Sequence, residues 1–344
     1  MAATVHDVAA IAGVSIKTVS NVVNNFPNIR PATRAKVQAA IAELGYQPNL
    51  AARSLRSGRT GTIGLALPEL SLPYFAELAD AVIRAAERRG LVVLIEQTNG
   101  DRSRELAMLN SPRLKLTDGL LFSPLGMTDD DAATLNVTYP LVLLGERILT
   151  GPTDHVSMRN EQAAHAATAH LIECGRRRIA VIGARDGAVI GSAGLRLRGY
   201  RSALEEADIR FDPDLVVLAQ LWNRGNGAAG MRELLARGVP FDALFGLNDT
   251  LTLGALRVLQ EHDLKVPDDV AVIGFDNIDE AQFSLPSLST IDPGRPEIAE
   301  IAVQLLADRI AGAAGPTEPR ELLAQFQLIR RESTAVRDTV TASS

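Results

Sequence analysis

Lys17, Thr18 and Asn21 share one side of the stretch GVSIKTVSNVVN, residues 13–24, while Val19, Val22 and Val23 recur between them at helical spacing. The valines belong in a core and the polar tips outside it. Lysine suits guanine acceptors or phosphates, asparagine suits adenine, and Ile16 suits a thymine methyl. Polar tips of this kind also occur on any exposed helix of a three-helix bundle. A second set closes apolar runs: Asn248 ends ALFGLND, Asp276 ends VIGFD, and Arg196 lies in GLRLRGYRSAL. A guanidinium and a carboxylate each take two neighbouring hydroxyls, and one amide both donates and accepts. Asn248 and Asp276 equally suit plain helix caps.

The first set needs short helices to hold it. Thr4 with Asp7 three residues on has the pattern of a capping box, and Val5, Val8, Ala9 and Ala12 follow at helical spacing. This predicts a first helix ending at Gly13. Ser15 caps a second, Ile16 to Asn24, and Pro31 opens a third whose apolar face is Val37, Ala40, Ile41 and Leu44, with Gly45 as its stop. Three short helices with a tight glycine turn match a helix-turn-helix, whose second helix enters the major groove. Next comes QPNLAARSLRSGRTGT, where Pro48 and Gly58 bound barely two turns, too few for a stable isolated helix. This segment reads either as a linker or as a hinge with an exposed Leu55 between Arg53 and Arg56.

The second set needs open sheets. From Gly61, short apolar runs (TIGLALP, GLVVLIEQ, DGLLFSP, LVLLGE, RIAVIGA, LVVLAQ, ALFGLND, DVAVIGFD) alternate with Ala/Leu/Arg-rich segments. That rhythm predicts an α/β fold with parallel sheets covered on both faces, and ligands beyond the strands' carboxyl ends.

Composition limits the function classes. The 344 residues, 46% hydrophobic and 22% charged, fit two or three globular domains. Residues 1–60 carry seven Lys/Arg against two acids, a net +5, so the remainder holds −11 of the −6 total. A basic head on an acidic body suits a polyanion-binding module joined to a binder of something else. The longest apolar runs, such as LVVLI (91–95), are strand-length, so no membrane partner is expected. MAATVHDVAA lacks a basic stretch followed by an apolar block, which predicts a cytoplasmic protein. With only Cys174 there is no intrachain disulfide, and the thiol reads as a small buried apolar group. His165 and His170 are five apart rather than four, so no two-His zinc face forms; no metal and no cofactor are expected.

TVHDVAAIAGVSIKTVSNVVN, then TRAKVQAAIAELGYQPNLAARSL, resembles the DNA-binding head of the LacI/GalR family of bacterial transcription repressors. The match is nearly gapless over residues 4–60, and the family's core motifs recur to about residue 335. The resemblance implies a head at 1–47, a hinge at 48–60 and a two-lobed, periplasmic-binding-protein-like core at 61–335, followed by a tail at 336–344. The first lobe would take about 61–158 plus 291–318, and the second about 159–290 plus 319–335. STIDPG (289–294) resembles the crossover to the first lobe, and AQFQLIRREST the return to the second.

For DNA the resemblance points to Thr4, Ser15, Ile16, Lys17, Thr18, Ser20, Asn21, Asn24 and Thr33. It adds Asn49, Ala52, Arg53 and Leu55 in a hinge that orders on DNA, with Leu55 wedged into the central base step. For an effector, most naturally a saccharide, it points to Arg196, Asn248 and Asp276, with Tyr74 and Phe75 from the first lobe. Trp222, Ser123 and Glu146 are further candidates by position. Three departures stand out. Asn21 replaces the usual arginine and cannot make the same guanine fork, implying an atypical half-site. Arg30 holds the N-cap of the third helix, where serine is usual, and Arg159 in VSMRNEQAA replaces a common acid. The implied function is a repressor that binds a palindromic operator in double-stranded DNA as a homodimer under effector control. VRDTVTASS has no leucine heptad, which predicts a dimer rather than a tetramer.

Two rivals remain at this level. One is a sugar-binding module of the transport type. The other is a NAD-dependent enzyme, because GNGAAG (225–230) is a literal G-x-G-x-x-G with Asp249 downstream. Against the latter, five residues separate the preceding strand from the first glycine, and no proton-transfer pair accompanies it.

Overall fold

The computed structural model describes residues 3–23, 26–46, 59–148, 151–185, 191–312 and 318–335. Asn24, the hinge candidates Asn49, Ala52, Arg53 and Leu55, and the tail lie outside them. The chain divides into two compact units, Met1–Gly61 and Thr62–Ser344.

In the first unit, α1 (Val5–Ala12), α2 (Ile16–Val23) and α3 (Pro31–Leu44) close on Val8, Val19 and Val37, all fully buried. Ala9, Ala12, Val22 and Ala40 complete this core, with Val23, Ile41 and Leu44 packed against it. Thr4 and Asp7 form the capping box, and Gly13 ends α1 at φ +65°, where a Cβ would be strained. Arg30 precedes Pro31 and makes no side-chain cap bond, as expected of a residue with no acceptor.

In the second unit, β1 (Thr62–Leu67), β2 (Val92–Gln97), β3 (Leu120–Phe122), β4 (Leu141–Leu144), β5 (Asp154–Met158) and β11 (Glu321–Ala324) form a parallel sheet in the order β11-β5-β4-β3-β1-β2. Helices α4 (Pro73–Glu87) and α5 (Arg102–Leu109) belong to this lobe. The second lobe holds β6 (Ile179–Ala184), β7 (Val216–Leu218), β8 (Ala243–Gly246) and β9 (Ala271–Ile273), parallel in the order β7-β6-β8-β9. Its helices are α6 (Asn160–Glu173), α7 (Ser192–Glu206), α8 (Arg224–Arg237), α9 (Asp249–Glu261) and the short α10 (Asp279–Phe283). β10 (Thr290–Asp292) leads to α11 (Arg295–Ala311), which packs with α4 over the first sheet, and β12 (Gln327–Ile329) returns to pair antiparallel with β10.

Each sheet is covered twice. In lobe 1, Ile63, Leu65, Leu121 and Val142 face Leu78, Val82 and Val303, while Phe122 and Leu143 face Met108 and Leu109. In lobe 2, Ile182 and Val272 face Met231 and Val258, while Val181 and Phe245 face Ala167 and Tyr200. The strand order reverses beside β1 in the first sheet and beside β6 in the second, which opens a crevice at their carboxyl ends.

The final crossing differs from the sequence expectation that residues 319–335 return to the second lobe. Glu321–Ala324 pairs with His155–Met158, so the first lobe extends through Ala324. An ion triad around a buried carboxylate holds this edge. Asp154, with no exposed surface, accepts from Arg309 Nε and Nη2 at 3.0 and 2.9 Å and from Arg320 N and Nη2 at 3.0 and 2.9 Å. Among the described residues no helix is long and apolar enough to cross a membrane, and no grouping of His, Cys, Asp or Glu suits a metal.

Candidate functional site

In the first unit the valine core fixes which side of α2 is free. Lys17 is exposed and Ile16 38% exposed, while Thr18, Ser20 and Asn21 are half-buried. Ser15 Oγ accepts from Thr18 N at 3.2 Å and bonds Thr18 Oγ1 at 2.9 Å, so those two hydroxyls fix the start of the helix. Thr4 Oγ1 is committed to Asp7 at 2.8 Å, and Thr33 is half-buried in the first turn of α3. Among the described residues of this face, Lys17 and Asn21 make no side-chain hydrogen bond and Ile16 is exposed.

In the second unit all eight residues expected at an effector site line one cavity of about 640 Å³ between the lobes. They sit at strand ends: Tyr74 and Phe75 after β1, Ser123 after β3, Glu146 after β4, Asn248 after β8, Asp276 after β9, with Trp222 in the loop ahead of α8 and Arg196 in α7. Arg196 is 2% exposed, and its guanidinium lies 3.5 Å from the Phe275 ring centre and 5.3 Å from that of Trp222. Nε donates to Asn160 Oδ1 at 2.8 Å and Nη1 to the Leu247 carbonyl. Nη2 stands 3.5 Å from Asp276 Oδ1, a looser contact that leaves the pair open to a third party.

Asp276 is 4% exposed, and its carboxylate accepts no hydrogen bond among the described residues. Burial pushes its pKa up to about 6 against the pull of Arg196 and Arg295, and Glu77 and Glu146 add to the rise. Asp276 does not cap α10: the Ile278 N–H goes to Asp249 at 3.0 Å. Asn248 does cap. Its Oδ1 accepts from Leu251 N at 2.8 Å, and its Nδ2 reaches only to 3.5 Å of the Trp222 carbonyl. Trp222 is half-buried and tied by Nε1 to the Gly183 carbonyl at 2.9 Å, which makes it a packed residue with one flank on the cavity. Tyr74 and Phe75 meet edge to face at 5.2 Å, and burial beside Asp276 and Glu146 raises the Tyr74 hydroxyl and keeps it protonated.

Asp276 and Asn277 hold φ of +112° and +51°, unusual for residues with side chains. Arg295 secures this turn: it donates to the carbonyls of Asp276 and of Asn277, the latter at 2.8 Å, and pairs with Glu77 of α4 at 2.7 Å. Glu146 also spans the cleft, accepting from Met158 N at 3.2 Å and Ser192 Oγ at 2.8 Å. Arg147, Arg185 and Asn99 line the cavity as well. Nothing in the sequence separated them from other polar residues after strands. Arg159 lies at the start of α6 with Nε buried and unpartnered among the described residues.

The glycine fingerprint does not make a nucleotide site. Gly225, Gly227 and Gly230 lie within α8, and a Cβ on Gly227 would fall 2.0 Å from the Leu251 carbonyl oxygen of α9. From the other side, a Cβ on Gly254 would fall 1.9 Å from the Arg224 carbonyl oxygen. These glycines bring two helices into close contact. Asp249 is fully buried under Thr290 and the Ile278 N–H, and burial raises its pKa.

A helix-turn-helix unit on a two-lobed core whose cleft gathers hydroxyl-binding side chains defines the class of ligand-binding regulators. Comparisons with known proteins fit that class. A family model described as bacterial regulatory proteins, lacI family, matches residues 4–49, and one for a periplasmic binding protein-like domain matches residues 168–334. The ribose operon repressor of Escherichia coli (strain K12) is 36% identical over 314 residues, 90% of this chain and 93% of that protein. Among solved structures, a CelR–cellobiose complex superposes with TM-score 0.71 at 34% identity, covering 96% of this chain and 99% of its own. The lac repressor dimer bound to operator and the anti-inducer ONPF gives TM-score 0.82 at 27% identity, covering 98% and 100%. The chain belongs to the LacI family of bacterial regulatory proteins.

Proposed function

We propose that this protein is a transcriptional repressor, a homodimer that binds a palindromic operator and is controlled by a small saccharide derivative held between its lobes. One observation carries the reading: Asp276, a buried carboxylate without a hydrogen-bond donor among the described residues, faces a cavity of about 640 Å³ beside Arg196. A ligand hydroxyl donates to Asp276 and accepts from Arg196 Nη2, and the flank of Trp222 takes the apolar face of a ring. Both lobes contribute to the wall, so a bound ligand favours one lobe arrangement. A preference of a few kcal/mol suffices to shift the DNA-binding population. The ribose and cellobiose named for the relatives support a saccharide framework. Ile16, Lys17 and Asn21 would read bases, and the net +5 of residues 1–60 would supply a salt-dependent phosphate term. A repressor works where the chromosome is, which places it in the cytoplasm.

The test is a mobility-shift titration of the purified full chain on the DNA upstream of its own gene, with and without sugars and sugar derivatives. Retardation that one ligand class alters, and that weakens steeply with salt, is expected. No retardation on any fragment, with or without ligand, overturns the reading.

A further inference from the structure

Two guanidiniums enter the cavity from opposite lobes, and among the described residues no acid pairs with either. Arg147 follows β4 in the first lobe and Arg185 follows β6 in the second, and both line the cavity. Arg147 rests against Gly191, where a Cβ would stand 3.3 Å from its Cδ and Nη1, and it makes no hydrogen bond or ion pair among the described residues. Arg185 gives Nη2 to the Gln220 carbonyl at 3.0 Å and keeps a buried Nε with no partner. Burial, then the charge of Arg147, pulls its pKa below the ordinary value.

The other charged side chains of the wall have ionic or hydrogen-bond partners of their own. Arg196 stands against Asp276, Arg224 pairs with Glu280 at 2.6 Å, and Glu146 is held by Met158 N and Ser192 Oγ. Glu69 takes the Ser71 hydroxyl. Beside Arg147, the fifteen-residue α7 opens from Gly191, an N-cap with no side chain to accept from its first turn. Two positive groups without an acid among the described residues, Arg185 also lying 5.9 Å from the Trp222 ring centre, therefore share the cavity wall with a glycine-capped helix start.

We propose that the effector carries an anionic group, a phosphate ester or a carboxylate, seated between Arg147 and Arg185 while its hydroxyls go to Arg196 and Asp276. The proposal rests on the cleft being the effector site. A neutral saccharide would leave two like charges near each other in a half-desolvated space. An anion relieves that repulsion and takes forked hydrogen bonds from both guanidiniums. Because the two arginines ride on different lobes, the anion binds the closed arrangement better than the open one, which is the differential affinity a switch requires.

The experiment is calorimetry and thermal melting of the full chain with inorganic phosphate, acetate and chloride at constant ionic strength. A hexose, its 6-phosphate and the matching hexuronate follow. Phosphate or acetate should raise the melting temperature where chloride does not, and whichever of the 6-phosphate and the hexuronate binds better identifies the anion. Arg147→Gln and Arg185→Gln should each weaken that binding about tenfold or more. Arg147→Met, at a half-exposed side chain without bonds, guards against misfolding and should keep the melting temperature in chloride. No gain from either anion, or a gain that survives Arg147→Gln/Arg185→Gln, overturns the proposal. Release of operator DNA by the neutral hexose alone would overturn it while leaving effector control in place. Anion binding lost in the variants, with DNA retention indifferent to it, would keep this site and remove effector control.

Discussion

Asp154 at the edge of the first lobe and Asp276 at the cleft are both buried, and both lie near arginine. They differ in how completely they are satisfied. Asp154 takes paired hydrogen bonds from Arg309 and Arg320, which outweigh its burial and bring its pKa down to about 2. Asp276 has one guanidinium at 3.5 Å and no hydrogen bond to its carboxylate among the described residues, and burial takes it the other way, to about 6. A saturated carboxylate fastens β5, β11 and α11 together. An unsaturated one retains its capacity for a ligand. The degree of satisfaction, rather than burial or charge, separates a strut from a site.

Substitutions can break this contrast. Asp154→Ala removes the acid from two arginines whose side chains are 32% and 28% exposed, and should cost about 2 kcal/mol of unfolding free energy in a denaturant titration. A loss under about 1 kcal/mol would show that the triad contributes little. Asp276→Ala should lower effector affinity by at least about tenfold in calorimetry, the charge-assisted bond to its carboxylate being lost, while operator binding persists. An unaltered response would put the ligand elsewhere.

The contrast sharpens with pH. Asp276 has a folded pKa above its unfolded value of 3.8, so the native state holds the extra proton and its ionisation erodes stability as pH rises from about 4 to 6. Asp154 has a folded pKa below 3.8, so its contribution is present above about 4 and disappears as pH falls through about 2. Relative to Asp276→Asn, the wild type should lose about 2 kcal/mol between pH 4 and 6.5, whatever the constant offset between the two proteins. A flat difference curve would mean that Asp276 is not raised. The smallest effect belongs to Arg309→Lys. Arg320 keeps its own bonds to Asp154, so the loss should stay near 1 kcal/mol with ligand affinity unchanged. A defect in binding would show that the lobe edge and the cleft are not independent.

Much of this arrangement was readable from residue pattern. Eight apolar runs are strands: the central ones are β-branched and leucine-rich segments buried on both faces, which need no alternation, and only edge strands such as Val92–Gln97 leave apolar side chains exposed. The capping box at Thr4 and the stops at Gly13 and Gly45 are local rules, and local geometry obeys them. DHVSM does not read as a strand because its polar residues are buried by partners the pattern does not show: Asp154 by Arg309 and Arg320 far along the chain, and His155 by the Gly145 carbonyl ten residues back. The lobe boundary near Glu321 was misread for a similar reason, since the sheet that a short edge strand joins is decided by its neighbours in space. At the cleft, position at a strand end brought Asn248 and Asp276 to the cavity wall, whereas Arg196, expected just before a helix, reaches the wall from inside α7. It could not tell that Asn248 doubles as a helix cap, or that Phe275 lies under the Arg196 guanidinium.

The close crossing of α8 and α9 has a use for anyone wishing to retune this protein. Trp222 stands just ahead of one helix, and Asn248 caps the other, so the gap between those two axes fixes the spacing of that stretch of wall. Since backbone stands about 2 Å from where a Cβ on Gly227 or Gly254 would lie, a methyl added at either must push the two helices apart and shift that stretch of wall, at a cost in packing. A change in the effector accepted could therefore arise at positions that no survey of contacting residues would nominate.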